Sequence, residues 1–469
     1  MSRLVVAPLL VFLAAGASAA EDWRNQAPPV PPPDPPVLPA FQKSILANGL
    51  EIYSAQTSDL PVVSFSLVTK GGSAADPADA PGLTSFSYAM LAEGAGALDA
   101  LAFSDRVADL GANFGAGAGR DSGSISISGL ARNAGEMLEL VRMAAQSPRL
   151  QPQDFERLRA QTLASLTRSR TAPQGIAFSE LPALLYGPDH PLGHPPQGTT
   201  ESVAAFTLDQ VKTHFGRMLG PKGSALIAAG ALEHEHVVAL AEKALGSWAG
   251  EARVPEIPPV APPAARRIVL IDKPGAPQTL IVAGRPLPPK GDPVEVPLAI
   301  ANEVFGGSFS SRLNLNLRED KGYTYGASSQ AIFRRGVGAF VAYAAVRADV
   351  SGAALAEMFA EMAQMTSRAP GEDEIRLSKN GVVRTLTGQF QTAGQVSGAA
   401  AGLFVQSLPT DYFAQLGPRY DRSPSNQIRS AGTRFIDGER MVVLLVGDAA
   451  SVQPQVELAG FEDVELRKP

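Results

Sequence analysis

No cysteine occurs among the 469 residues of the chain. Disulfides, thiolate metal ligands and cysteine nucleophiles are therefore excluded, and the fold must be stabilised by packing. The chain also has no strong excess of charge of one sign. Its formal net charge is only −6, and the sequence contains no basic stripe. Nucleic acid is therefore not expected as a partner, since a nucleic-acid surface needs clustered lysine and arginine.

Histidine is scarce, with five residues in the whole chain. His234 and His236 are two positions apart at a helix start, so they point to different helix faces and favour a surface or capping role. His190 and His194 lie in a loop and favour loop packing, and His214 follows a helical pattern without needing a special role. The motifs G-x-S-x-G and S-x-x-K do not occur, so neither type of serine hydrolase is indicated.

Long hydrophobic runs are limited to residues 4–15, which follow Arg3 and precede the small residues Ala17-Ser18-Ala19. This pattern predicts a secretory signal peptide over residues 1–20 and a periplasmic protein. The run is too short for a membrane anchor, so no membrane span is expected after cleavage. A proline-rich stretch follows, and it predicts an extended tether over residues 21–40.

The order of predicted elements repeats after about 215 residues. In the first half, Asn48-Gly49 predicts a type I′ hairpin between strands 43–47 and 50–55, and a strand follows at 61–70. Further predicted elements are helices at 82–91 and 103–110, the latter opened by Ser104, a strand at 124–128, helices at 134–145 and from Asp154 to 166, and a closing strand at 225–230. The second half repeats strand, helix, helix and closing strand at 340–344, 353–365, from 372 onward, and 441–447.

These repeats predict an α+β fold with two homologous domains, 41–251 and 266–469, each an antiparallel sheet packed with helices. Five prolines in residues 252–265 mark the linker between them. Unrelated segments with common patterning are the alternative to a duplication.

The most specific segment is residues 311–326. Apolar residues at positions 309, 313 and 317 follow Phe305 at helical spacing, and Gly322 ends the helix before a strand. It resembles a signature of the pitrilysin-type (inverzincin, insulinase-like) zinc metallopeptidases. The resemblance extends from about residue 41 onward and implies a clamshell half built from two domains. It also implies that Arg318 and Tyr325 face a catalytic zinc and contact substrate.

Active members of that family carry H-x-x-E-H on the first helix of the N-terminal domain. Here Gly82-Leu83 and Met90-Leu91 flank the matching positions, which hold Ser85 and Ala89 for the two histidines and Tyr88 for the glutamate. Ala164 and Ser165 occupy the region where the third ligand is expected. Loss of ligands at two separate places predicts that this chain binds no metal.

The glycine-rich stretch around Gly115, Gly117 and Gly119 resembles the family's edge strand, which binds peptide by strand addition. The resemblance makes Asn113 and Phe114, together with these glycines, candidate peptide-binding residues. A phosphate-binding loop is disfavoured, because the stretch does not connect a strand to a helix. A flexible hairpin without a binding role is the alternative.

The presence of Arg318 and Tyr325, together with the loss of the zinc ligands, predicts a subunit that lacks zinc and is inactive alone. It would supply Arg318 and Tyr325, in trans, to a paralogous partner that bears the zinc, and so contribute to peptide-bond hydrolysis in an exported heterodimer. The alternative is a catalytically inert peptide-binding or assembly scaffold derived from a peptidase.

Overall fold

A computed structural model describes residues 38–57 and 60–468. The predicted signal peptide and most of the predicted tether lie outside the described residues. These described residues form one compact unit. Among the described residues, no helix combines the length and apolarity needed to cross a membrane.

The first half of the chain contains eight strands and eight helices in the described residues. The strands are β1 (Gln42–Ile45), β2 (Glu51–Gln56), β3 (Val62–Lys70), β4 (Gly94–Ala95), β5 (Leu98–Asp99), β6 (Asn113–Ala118), β7 (Ser122–Leu130) and β8 (Ser224–Gly230). The helices are α1 (Leu83–Met90), α2 (Ala100–Asp109), α3 (Ala134–Gln146), α4 (Pro152–Ser169), α5 (Pro173–Tyr186), α6 (Thr200–Ala205), α7 (Leu208–Met218) and α8 (His234–Leu245).

The second half repeats this arrangement with six strands and eight helices in the described residues. Its strands are β9 (Arg267–Asp272), β10 (Gln278–Leu287), β11 (Thr324–Ile332), β12 (Gly338–Arg347), β13 (Val442–Gly447) and β14 (Val464–Arg467). Its helices are α9 (Glu295–Asn302), α10 (Arg312–Asn314), α11 (Ser351–Ser367), α12 (Glu372–Thr387), α13 (Ala393–Val405), α14 (Tyr412–Arg422), α15 (Ser425–Phe435) and α16 (Ala449–Leu458).

Two six-stranded sheets confirm the predicted α+β class and the duplication. The first has the order β1-β2-β8-β3-β7-β6, and the second has the order β14-β9-β13-β10-β12-β11. The central pairs are antiparallel, as predicted, whereas β2 pairs with β8 and β9 pairs with β13 in parallel. These parallel neighbours are far apart in the chain, so long crossover connections separate them. In both sheets the corresponding strands β6 and β11 lie at an edge.

Each half contributes one helix to the sheet of the other half. Helix α5, from the first half, packs on β10 and β13, with Leu181 and Leu185 among their buried side chains. Helix α13, from the second half, packs on β3 and β8, with Leu403 and Phe404 buried there. The linker 252–265 forms no helix or strand. The two sheets therefore share a core that neither half completes alone.

Several local predictions are wrong. At the β1–β2 turn only Gly49 has a positive φ, of 89°, so the turn is not type I′, which needs two such residues. Asp99 caps α2 by accepting from the Ala102 amide at 2.9 Å, so Ser104 lies inside the helix. Helix α4 begins at Pro152, so Asp154 lies in its first turn.

The predicted continuous helix leading into residues 311–322 is also wrong. A π-helical turn, Glu303–Gly307, follows α9, and the chain leaves helical geometry before α10. A second π-helical turn, Leu315–Asp320, then leads to Gly322, whose φ of 63° ends the helix as predicted. Phe309, expected on the apolar stripe, is 65% exposed instead.

Candidate functional site

Arg318 and Tyr325 occupy the corner between the second π-helical turn and β11. Two backbone hydrogen bonds stabilise the turn at this corner. The Gly322 amide donates to the Arg318 carbonyl at 3.1 Å, and the Tyr323 amide donates to the Leu317 carbonyl at 2.9 Å. Arg318 therefore lies in the last helical turn and Tyr325 at the second position of the strand.

Tyr325 lies within an irregularity of the edge strand. The pairing of β11 with β12 shifts register between Thr324 and Ala327, which marks a β-bulge. The Thr324 hydroxyl accepts from the Gly326 amide at 3.1 Å and so supports the bulge from within. Bulges redirect side chains and are common beside active sites. Tyr325 is accordingly 92% exposed.

Arg318 packs against Phe309. The centre of its guanidinium lies 4.5 Å from the Phe309 ring centroid, within cation–π distance. Its Nε also lies 3.4 Å from Glu319 Oε1, but both side chains are solvent-exposed, and such a pair contributes little. The Arg318 side chain is 37% exposed and Tyr325 is almost fully exposed, so both are accessible to an external ligand.

Asn314 connects the two parts of this corner, and it is a residue that the sequence pattern did not single out. It is 3% exposed. Its Nδ2 donates to the Phe309 carbonyl at 2.7 Å, and its Oδ1 accepts from the Ala327 amide at 3.1 Å. The loop that carries the Phe309 ring and the end of the β11 bulge are thus fixed by one buried side chain. Its role depends on tertiary contacts and leaves no periodic signal.

Helix α1 carries Ser85, Tyr88 and Ala89, the positions predicted from the sequence to match the family's zinc motif. Ser85 and Ala89 are partly accessible, whereas Tyr88 is fully buried. The Tyr88 hydroxyl lies 2.6 Å from Thr69 Oγ1 on β3. A Cβ built on Gly123 of β7 would lie 2.1 Å from the Tyr88 ring, so the phenol fills space that the glycine leaves open. Burial raises the pKa of Tyr88 far above its ordinary value.

The remaining positions offer no compensating ligand. Ala164 and Ser165 lie exposed on α4. Among residues 38–57 and 60–468, no group of three or more histidine, cysteine or acidic side chains is arranged to hold a metal ion. A methyl group, a hydroxyl and a buried phenol do not form a zinc-binding set. The residues present at this place therefore do not fit the metal that the family implies.

Buried titratable groups surround the N-terminus of α1. Asp76 accepts from the Gly82 amide at 2.6 Å and from the Thr84 amide at 2.7 Å, and burial raises its pKa to about 6. His214 Nε2 lies 2.8 Å from Thr84 Oγ1. Burial, with the nearby Arg217 and Arg253, lowers the pKa of His214 to about 4.

His234 and His190 contact structural partners. His234 lies between the hydroxyls of Ser44 and Ser54, each 2.7 Å from a ring nitrogen. His190 Nδ1 accepts from the Leu192 amide at 3.0 Å, and its Nε2 lies 3.0 Å from the Pro258 carbonyl oxygen. These contacts hold the β1–β2 hairpin and the 187–194 loop in place.

The candidate peptide-binding residues form edge strand β6 and the turn that follows it. Phe114 packs inward, with its ring centroid 4.9 Å from that of Phe103. Gly119 lies in the turn, where its amide donates to Ser122 at 2.9 Å and its carbonyl accepts from Ser73 at 2.8 Å. The remaining three, Asn113, Gly115 and Gly117, lie in the strand and pair with β7 on one side only. Ser85 Oγ donates to the Ala118 carbonyl at 3.3 Å, so α1 contacts this edge.

Fold and site together define a duplicated α+β protein of the clamshell class, with an exposed arginine and tyrosine in one half and no metal ligands at the corresponding helix of the other. Residues 51–195 match the model described as insulinase (peptidase family M16), and residues 205–382 match the model described as peptidase M16 inactive domain. The chain belongs to this pitrilysin-type M16 family.

Individual relatives agree with this assignment. An uncharacterized zinc protease from Rickettsia felis is 23% identical over 339 residues, which are 72% of this chain and 81% of that protein. An uncharacterized zinc protease from Mycobacterium bovis is 28% identical over 49% of this chain, and the match spans about half, 51%, of its length. The crystal structure of a peptidase M16 inactive domain from Pseudomonas fluorescens superposes with a TM-score of 0.81 at 25% identity, covering 87% of this chain and 97% of that one.

Proposed function

We propose that the chain is the non-zinc-binding subunit of an exported, heteromeric M16 peptidase. In this proposal a paralogous partner holds the zinc, and the present chain contributes Arg318 and Tyr325 to the same active site. The supporting observation is their exposure at a corner braced by Asn314, in a chain whose α1 lacks metal ligands. The zinc would activate water on the partner.

The two side chains suit complementary tasks. The planar guanidinium of Arg318 would hold a substrate carbonyl or carboxylate through two parallel N–H donors. The Tyr325 hydroxyl would donate to the oxygen that becomes negative as the peptide carbonyl turns tetrahedral. Each such donor contributes on the order of 2 to 4 kcal/mol to the transition state. The substrate peptide would lie in an extended conformation, with edge strand β6 as one place for strand addition.

The decisive experiment mixes this protein with an H-x-x-E-H paralogue from the same organism and follows cleavage of a quenched fluorescent peptide. Activity is expected only with both chains. Arg318→Ala in the mixture should lower kcat/KM by about 10² to 10³ without changing the partner's zinc content. Arg376→Ala, which removes another exposed arginine paired with Asp373 on α12, is the matched control and should retain activity.

Two results would contradict the proposal. Unchanged cleavage with Arg318→Ala would remove the assigned role of the pair. A stable homodimer that binds peptide, but adds nothing to any zinc-bearing paralogue, would favour the inert scaffold instead. Tyr325→Phe refines the test, since it removes only the hydroxyl and should act mainly on kcat.

A further inference from the structure

A cavity of about 450 Å³ lies between α5 of the first half and the outer strands β11 and β12 of the second. Its walls are apolar, and they include Phe178, Leu181, Leu185, Ile332, Val341 and Tyr343. The rings of Phe178 and Tyr343 form an edge-to-face pair with centroids 6.2 Å apart. Phe178 is nevertheless 45% exposed, so the cavity opens to solvent.

One end of the cavity carries an excess of positive charge. Arg120 and Arg334 both line it. Arg334 Nη1 lies 3.3 Å from Asp121 Oδ2, whereas Arg120 Nη1 donates to the carbonyls of Leu192 and His194 and has no carboxylate within ion-pair distance in the described chain. This end of the cavity therefore has two guanidinium groups but one ion-paired carboxylate, Asp121. Burial and the neighbouring Arg334 lower the pKa of Arg120.

The cavity also adjoins edge strand β11, which carries Tyr325. The pairings Ser328 with Tyr343 and Gln330 with Val341 place these residues on one face of the sheet. Arg334 follows β11 at the end opposite to Tyr325. A peptide with its carboxyl end at the arginines would therefore run along this strand toward Tyr325, and in an extended conformation it would rise about 3.3 Å per residue.

We propose that this cavity binds the apolar carboxyl-terminal residues of a peptide, with the terminal carboxylate held between Arg120 and Arg334. The side-chain amides of Gln174 and Gln330, which also line the cavity, offer partners for peptide groups. They favour a peptide over a plain acyl chain. The inference rests on the proposed function and deepens it, because it assigns the substrate class as peptides with a free, apolar carboxyl end.

The test uses the full chain without a partner and measures fluorescence anisotropy of a nonapeptide labelled at its amino end and ending in Phe-Leu. The free-acid peptide should bind at least about tenfold more tightly than the same peptide with a C-terminal amide. Arg334→Gln should abolish this preference and leave the amide's affinity unchanged. Arg142→Gln, an exposed α3 arginine paired with Glu139, is the matched control and should keep the preference.

A second variant guards against misfolding, since Gln330 is exposed on β11. Gln330→Trp should fill the cavity and weaken both peptides while the thermal unfolding midpoint stays unchanged. Equal binding of acid and amide by the wild type would overturn the inference. So would displacement of the peptide by dodecanoate at concentrations below the peptide's own Kd, which would assign the cavity to fatty acids. Because this assay uses the chain without a partner and measures binding instead of cleavage, its failure is distinguishable from failure of the proposed active site.

Discussion

Asn314 is the residue whose contacts best explain how Arg318 and Tyr325 are held in place. Its side chain bonds the Phe309 carbonyl and the Ala327 amide from a buried position. Without it, both backbone groups would lose a partner, and the Phe309 ring beside Arg318 would be free to move. The candidate site therefore depends on a residue that does not face the ligand.

Asn314→Ala is expected to lower the free energy of unfolding by about 1 to 3 kcal/mol, because it leaves buried backbone groups unpaired. Urea unfolding measures this directly. Asn314→Asp keeps the acceptor for Ala327 but replaces the donor to Phe309 with a second oxygen and adds a buried charge, so it should destabilise at least as much as Asn314→Ala. Equal stability of all three proteins would show that these hydrogen bonds do not hold the corner.

Asp76 and His214 make opposing contributions to stability on either side of Thr84. The pKa of Asp76 is raised from 3.8 to about 6, so the folded state keeps its proton longer, and this stabilisation is lost as pH rises through that interval. The pKa of His214 is lowered from 6.5 to about 4, so the folded state resists protonation, and stability is lost as pH falls through that interval. Each effect amounts to about 3 kcal/mol at most, and the two largely cancel.

Asp76→Asn should therefore leave the pH-dependent effect of His214 on stability uncompensated. Relative to wild type, the variant's free energy of unfolding should rise by about 3 kcal/mol between pH 4 and pH 6.5. Denaturant unfolding at several pH values measures the difference. Parallel pH profiles for the two proteins would mean that Asp76 ionises in the folded state as it does in the unfolded one.

At the scale of elements, α1 is packed against the sheet through Tyr88, the residue predicted to replace the family's catalytic glutamate. The sequence register correctly predicted a helix with a phenol there. It could not predict that the ring lies over Gly123, because this contact joins residues on separate elements. The same limit applies to residues 303–320, where apolar spacing predicted one continuous helix. The π-helical turns Glu303–Gly307 and Leu315–Asp320 change the residues per turn, so a period of 3.6 no longer describes the exposed face.

A double-mutant cycle tests the packing of α1. Tyr88→Ala should cost about 3 to 5 kcal/mol, because it removes a fully buried aromatic ring. Gly123→Ala should also be strongly destabilising in the wild type, since its Cβ would overlap the ring. In the Tyr88→Ala background the alanine should be nearly neutral, giving a large coupling energy in urea unfolding. Additive costs would refute direct packing between the two residues.

At the scale of the whole molecule, the exchange of α5 and α13 was the feature that the sequence did not reveal. The strands of the repeat follow from alternation and order, whereas the edge position of β6 was expected from the family resemblance. An amphipathic stripe is expected only for a helix with one solvent-facing side. Helix α13 packs one face on the sheet of the first half, but its other face carries mainly glycine and alanine and no charged residue, so its sequence shows no clear amphipathic stripe.

This exchange predicts that the halves stay together when the linker is cut. A protease site inserted between Pro263 and Ala264, in an exposed part of the linker, should give two fragments that co-elute on gel filtration at the mobility of the uncut protein. Leu185→Asp in α5 should release the fragments after cutting, because it places a charge among Leu280, Val282 and Leu444. Separation of the cut wild-type fragments in the absence of denaturant would show that the linker, and not the exchanged helices, holds the halves together.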